Sequence, residues 1–153
     1  MILKKLTIII LPGIFFIISF AVNTEVRAKN LEFIFDWSDL RKCTSGNPNS
    51  VQNPIFYLNN IPENTKYIQF RLTDRNVPSY NHGGGKVQMN DIKIISENEE
   101  YYGNYEYRID PGSFKYKSPC PPGGKHTYEW SASAKNEKKK TIGKKAKSKQ
   151  QYP

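Results

Sequence analysis

The sequence predicts an all-β fold, an antiparallel β-sandwich with little helix. Two observations lead to this prediction. Several short segments alternate apolar and polar residues with a period of two, and turn-forming Pro, Gly and Asn recur between them at a spacing of about 8–12 residues. No segment has a convincing helical period, apart from the lysine-rich segment near the C terminus, where a helix remains an alternative.

The first 28 residues have the pattern of a secretory signal peptide. Lys4 and Lys5 precede an apolar run over residues 6–22, and Val26-Arg27-Ala28 provides a cleavage site. We expect cleavage near Ala28 and one folded domain over residues 29–153, in the periplasm or secreted. An uncleaved membrane anchor is the alternative, because a run of about 17 apolar residues approaches the shortest membrane span.

Three strands are predicted from clear alternation. Segment 31–37 places Leu, Phe, Phe and Trp on one side, and segment 66–73 does the same with Ile, Phe and Leu. In segment 126–134, His, Tyr, Trp and two Ala share a face. Shorter strands are predicted from aromatic and β-branched content at 92–95, 101–109 and 113–117. Ordered loops rich in Pro, Gly and Asn are predicted between them at 44–54, 59–64, 75–85 and 118–125.

The positive charge is concentrated near the C terminus. The chain has a net charge of +9, yet residues 29–134 contain 12 basic and 12 acidic residues, whereas residues 135–149 contain eight lysines and one acid, Glu137. We therefore expect no nucleic-acid partner, since a nucleic-acid-binding domain carries its basic residues across the folded body. The lysines either protect an exposed strand edge or make weak contact with an anionic membrane.

The two cysteines, Cys43 and Cys120, are predicted to form a disulfide because the chain is expected to be exported. They do not form a metal-binding pattern: no C-x-x-C is present, and His82 and His126 lie far apart in the sequence. We expect no metal and no other cofactor.

Two polar clusters are candidates for a binding site. TDRNVPSYNHGGG (73–85) contains Asp74, His82 and Gly83–Gly85, and PCPPGGKHTYEW (119–130) places His126 and Tyr128 on one strand face. Glycine amides, imidazoles and phenols together suit an anion. A tight turn at the glycines and a buried core histidine at 126 are the structural alternatives.

These segments resemble the phosphatidylethanolamine-binding protein family, most closely its bacterial Raf-kinase-inhibitor-like (YbhB/YbcL) branch. The resemblance lies in D-x-N-x-P after a strand, then a histidine with glycines, then Y-x-x-P-C-P-P-x-G-x-H-x-Y entering a strand. It implies a β-sandwich with Greek-key connections and a small anion-binding cavity at one end. It also implies that this cavity is lined by Asp74, Pro78, Pro121, His126 and Tyr128, with His82 and Gly83, Gly84 and Gly85 at its rim.

The expected function is therefore non-catalytic binding of a small anionic or phosphorylated ligand, including a phospholipid head group. A protein-interaction or protease-inhibitory module is the alternative. A hydrolase that uses Asp74, His126 and Tyr128 is the third possibility, and it is disfavoured because no serine, free thiol or metal stands beside a base.

Overall fold

The computed structural model of this chain describes residues 30–37, 39–95 and 105–153. The predicted signal segment, residues 1–28, and positions 101–104 of one predicted strand lie outside the described residues. The described residues form antiparallel β-sheets and one 3₁₀ turn, Met89–Asp91. The predicted all-β fold is confirmed. No helix among the described residues is long and apolar enough to cross a membrane.

The strands follow one another along the chain with short connections. They are β1 (Glu32–Asp36), β2 (Ser50–Gln52), β3 (Ile55–Asn59), β4 (Tyr67–Asp74), β5 (Gly84–Gln88), β6 (Lys93–Ile94), β7 (Tyr107–Ile109), β8 (Lys115–Lys117), β9 (His126–Lys135) and β10 (Ala146–Tyr152).

Two four-stranded sheets form the body of the sandwich. The first sheet has the order β1-β3-β7-β6, and the second has the order β10-β9-β4-β5. Strands β2 and β8 form a separate two-stranded ribbon. The two long strands, β4 and β9, pair antiparallel at the centre of the second sheet and place Asp74 opposite Tyr128.

The core lies between the inward faces of the two sheets. Phe33 and Phe56 from the first sheet contact Phe70 from the second, with ring centroids 5.9 and 4.2 Å away. Trp130 of β9 is fully buried against Phe56 and Tyr116. The inward positions are those predicted from alternation, because a strand with one buried face places every second side chain in the core.

Some strands occur where the sequence pattern does not predict them. The short strand β2 and the glycines of β5 fall in predicted loops, and β3 was not predicted. In β3 the consecutive residues Phe56, Tyr57 and Leu58 are all buried, so the strand has no polar face to produce alternation.

The lysine-rich segment contains an edge strand and no helix. Strand β10 lies at one edge of the second sheet, where Lys147 and Lys149 are exposed. The helical alternative is wrong, and the lysine-bearing strand edge is the structure that forms.

The predicted disulfide between Cys43 and Cys120 is present. It joins the loop after β1 to the proline-rich loop before β9, two segments that are 77 residues apart. A disulfide is compatible with an oxidising, extracytoplasmic compartment.

Candidate functional site

A cavity of about 200 Å³ lies at the end of the second sheet where β4 ends and β9 begins. This volume is below the range of pockets for drug-sized molecules and suits a small group. Two loops and the ends of two strands contribute its lining: Gly46, Pro48, Asp74, Val77, Tyr80, His82, Cys120, Pro121, Pro122, His126 and Tyr128.

Asp74 organises this end of the sheet. It is the last residue of β4, and its Oδ1 accepts hydrogen bonds from the backbone N–H groups of Asn76 and Val77 at 2.8 and 3.2 Å. Its Oδ2 accepts a hydrogen bond from Nδ1 of His126 at 2.7 Å. The carboxylate therefore shapes its own turn and also holds the first side chain of β9.

The charge state of Asp74 determines the tautomer of His126. Burial acts to raise the pKa of the Asp74 carboxyl, but the hydrogen bonds from His126 and from the two backbone amides outweigh it and lower the pKa. An ionised carboxylate only accepts hydrogen bonds, so Nδ1 of His126 carries the hydrogen. This leaves Nε2 for a ligand, on a side chain that is 16% exposed.

His82 lies in the same cavity and differs from His126 in its partner. Its Nδ1 donates to the backbone carbonyl of Lys117 at 2.9 Å, and the residue is buried. Burial lowers the pKa of His82, so the ring is neutral at pH 7. With the hydrogen on Nδ1, its Nε2 has a lone pair and acts as an acceptor.

Tyr128 and Tyr80 flank His82. The ring of Tyr80 lies 4.6 Å from the His82 ring and that of Tyr128 lies 5.4 Å from it, both edge to face. Burial raises the pKa of Tyr128, and the neighbouring Asp74 carboxylate acts in the same direction, so its hydroxyl stays protonated. The ammonium of Lys117 lies 5.3 Å from the Tyr80 ring centroid and brings a positive charge to the cavity edge.

The disulfide supports a second wall of the cavity, which is formed by the loops that contain Cys43 and Cys120. Cys120 lines the cavity together with Pro121 and Pro122, while Gly46 and Pro48 come from the loop that contains Cys43. A Cβ added at Gly46 would lie 3.4 Å from Pro122, which shows how closely the two loops approach.

The structure brings together five of the predicted site residues: Asp74, His82, Pro121, His126 and Tyr128. Pro78 does not line the cavity, because Val77 of the same turn takes that place. The glycines Gly83–Gly85 do not line it either. Gly84 and Gly85 begin β5, Gly83 directly precedes it, and all three border a shallow depression on the outer face of the sheet.

The glycines are needed for close packing. A Cβ at Gly84 would lie 2.1 Å from the carbonyl oxygen of Phe70, and one at Gly85 would lie 2.2 Å from the ring of Phe114. Neither separation is possible for a real side chain without movement of the neighbour. The close approach of strand and ring therefore explains these two positions without a ligand.

Six lining residues were missed: Gly46, Pro48, Val77, Tyr80, Cys120 and Pro122. Tyr80 lies within TDRNVPSYNHGGG, but sequence spacing does not indicate that its ring meets His82. Gly46 and Pro48 carried no signal, since they reach the cavity only through the fold of the Cys43 loop.

The described residues contain no cluster of His, Cys, Asp and Glu with the arrangement of a metal site. No protein-family model, no curated protein and no solved structure matches this chain.

Proposed function

We propose that this protein binds a small anion, a phosphate or carboxylate group, in the Asp74–His126 cavity, as a distant relative of the phosphatidylethanolamine-binding proteins. The observation that supports it most is the hydrogen bond from His126 Nδ1 to Asp74, which orients the imidazole and leaves Nε2 for a ligand. A protonated His126 beside an ionised Asp74 is a neutral pair. The cavity then has no excess negative charge to repel an anion.

The two histidines differ in what they offer. His126 donates through Nε2 when it is protonated, whereas neutral His82 accepts through Nε2. A ligand with both an anionic oxygen and a hydrogen-bond donor fits this pair better than a bare anion. Phosphoethanolamine, with its phosphate and its ammonium group, and monoprotonated phosphate both meet that requirement.

A non-catalytic role suits the lining residues. A covalent mechanism needs a nucleophile within reach of a base, and the residues that line this cavity include no serine, threonine or lysine, while Cys120 is held in a disulfide. Asp74 is occupied by three hydrogen-bond donors and orients His126.

Calorimetric titration with phosphoethanolamine, inorganic phosphate and acetate tests the proposal. His126→Ala removes a charge-assisted hydrogen bond. We expect the loss of about 1.5–3 kcal/mol of binding free energy, which weakens binding roughly ten- to a hundredfold. His82→Ala should weaken the binding of phosphoethanolamine more than the binding of acetate, because acetate has no hydrogen-bond donor for Nε2 of His82. Lys125→Ala, at an exposed neighbour of His126, is the matched control and should bind as the wild type does.

The comparison of the wild type with His126→Ala at a single pH is the decisive measurement. Equal affinity in both proteins, or no binding of any of the three anions at millimolar concentration, would overturn the proposal.

A further inference from the structure

The outward face of the second sheet is strongly basic. Register places Lys147 of β10 beside Ser131 of β9, Ser131 beside Arg71 of β4, and Arg71 beside Gly84 of β5, in one row across all four strands. Alternation places every second residue of these strands on the same outer side. The cationic residues on or bordering this side, here called the basic face, are Arg71, Arg75, Lys86, Lys135, Lys147 and Lys149.

One carboxylate, Glu129, lies among these six cations in the part of the chain that the structure describes. It is 5% exposed and lies 3.1 Å from Lys147, 3.6 Å from Lys149 and 3.9 Å from Arg75. Burial acts to raise the pKa of Glu129, but these cations lower it, so the group stays ionised. Six positive charges and one negative charge leave the basic face with a net charge of +5.

Three cations of the basic face, Arg71, Lys86 and Lys135, have no ion pair with a carboxylate among the described residues. Arg71 and Lys86 are exposed, and among the described residues neither has a carboxylate within 4.0 Å. Lys86 lies over the ring of Tyr67, 5.6 Å from its centroid, on the same side of the sheet. Since Gly84 has no side chain, an open depression of about 450 Å³ remains between Arg71 and Lys86, wide enough for a phosphate head group.

The outer side of the first sheet does not share the positive charge of the basic face. It carries Glu32 and Asp36 on β1, while the cations Lys93 and Arg108 both contact Asp110. The molecule is therefore electrically asymmetric. Such an asymmetry orients a protein with its positive side towards an anionic surface.

We propose that the basic face docks on a lipid bilayer that contains anionic lipids. The cations form a two-dimensional array, because they come from strands spaced about 4.8 Å apart and from alternate positions along each strand. A linear polyanion meets one line of such an array at a time, whereas a lipid surface meets all of it. Each cation close to an anionic membrane strengthens binding about fivefold, which corresponds to about 1 kcal/mol. This surface is separate from the Asp74–His126 cavity, and the inference does not rest on the function proposed for that cavity.

Sedimentation with vesicles tests this docking. Full-length protein is mixed with vesicles of phosphatidylcholine alone or with one third phosphatidylglycerol, and the ratio of the two affinities is measured. All variants keep the same apolar N-terminal segment. Its insertion into the bilayer would affect both kinds of vesicle, so it cancels in the ratio of the two affinities. We expect the wild type to favour the anionic vesicles, and this preference to decrease steeply between 0.05 and 0.5 M salt, as screening requires.

The variants locate the surface. Arg71→Gln with Lys86→Gln should reduce the preference for anionic vesicles about 25-fold. Lys93→Gln with Arg108→Gln removes the same charge from the outer side of the first sheet and should change this preference less than threefold. A loss of vesicle binding in His126→Ala as large as that in Arg71→Gln with Lys86→Gln would place the lipid head group in the cavity and overturn the inference. Equal losses in the two double variants, no preference for anionic vesicles, or tight binding of a soluble linear polyphosphate without vesicle binding would each overturn the inference.

Discussion

Asp74 and His126, 52 residues apart in the sequence, are joined by a hydrogen bond of 2.7 Å between Oδ2 and Nδ1. The antiparallel pairing of β4 with β9 places Asp74 opposite Tyr128, so His126, two residues before Tyr128, is its diagonal neighbour on the same face. The pair therefore combines a structural role, closing this end of the sheet, with the orientation of an imidazole in the cavity.

Replacing Asp74 by Asn should destabilise the fold by roughly 1–3 kcal/mol at pH 7, because the buried hydrogen bond from His126 loses its charged acceptor. Urea unfolding of the variant and of Asp91→Asn measures this. Asp91 is exposed, so its variant should unfold as the wild type does. A stability of Asp74→Asn within about 0.5 kcal/mol of the wild type, the usual effect of a surface substitution, would contradict the expectation.

The same carboxylate should make stability depend on acid pH. The folded-state pKa of Asp74 is below its ordinary value of 3.8, so its contribution is complete above that value and is lost as pH falls through the lower folded pKa. Unfolding followed from pH 6 to pH 2 should therefore show a smaller loss of stability in Asp74→Asn than in the wild type. Parallel curves for the two proteins would show that Asp74 does not contribute.

His82 should make stability depend on pH in a higher range. Its folded-state pKa is lowered from 6.5, so the unfolded chain takes up a proton first as pH falls, and stability is lost from about pH 6.5 down to the lower folded pKa. The loss amounts to about 1.4 kcal/mol for each pKa unit of difference. His82→Asn keeps a donor for the Lys117 carbonyl and cannot titrate. The difference in unfolding free energy between this variant and the wild type should shift in favour of the variant across that window.

Gly85→Ala should destabilise the protein by roughly 1–3 kcal/mol through overpacking against Phe114. In a Phe114→Ala background the same change should cost far less, since the ring that the new methyl group meets is gone. Thermal and urea unfolding of the four proteins forms a double-mutant cycle. Additive effects would mean that the glycine is required for its backbone and not for the approach of the ring.

Removing the disulfide should lower stability by roughly 2–5 kcal/mol. The test is Cys43→Ser with Cys120→Ser, compared with the wild type in urea. Thiol titration of the unreduced wild-type protein should detect no free thiol until reductant and denaturant are both added. Two titratable thiols in the folded, unreduced protein would contradict the bond.

The sequence alone was sufficient for the fold class and for the inward faces of the long strands. Alternation in β1, β4 and β9 places Phe33, Phe70 and Trp130 in the core because a half-buried strand exposes only every second residue. The disulfide followed from cysteine count and expected export. The inclusion of Asp74, His82 and His126 in one site followed from residue type and family resemblance, and the structure brings them together.

Only the tertiary structure decided which neighbours these residues have. Alternation cannot detect β3, whose residues Phe56–Leu58 are buried on both faces, and sequence cannot indicate that Gly85 faces Phe114 and not the cavity. The partner of each histidine is equally non-local: His126 meets a carboxylate and His82 meets a backbone carbonyl. Residue type is a property of the chain, whereas protonation and packing depend on atoms that strand pairing brings together from distant positions.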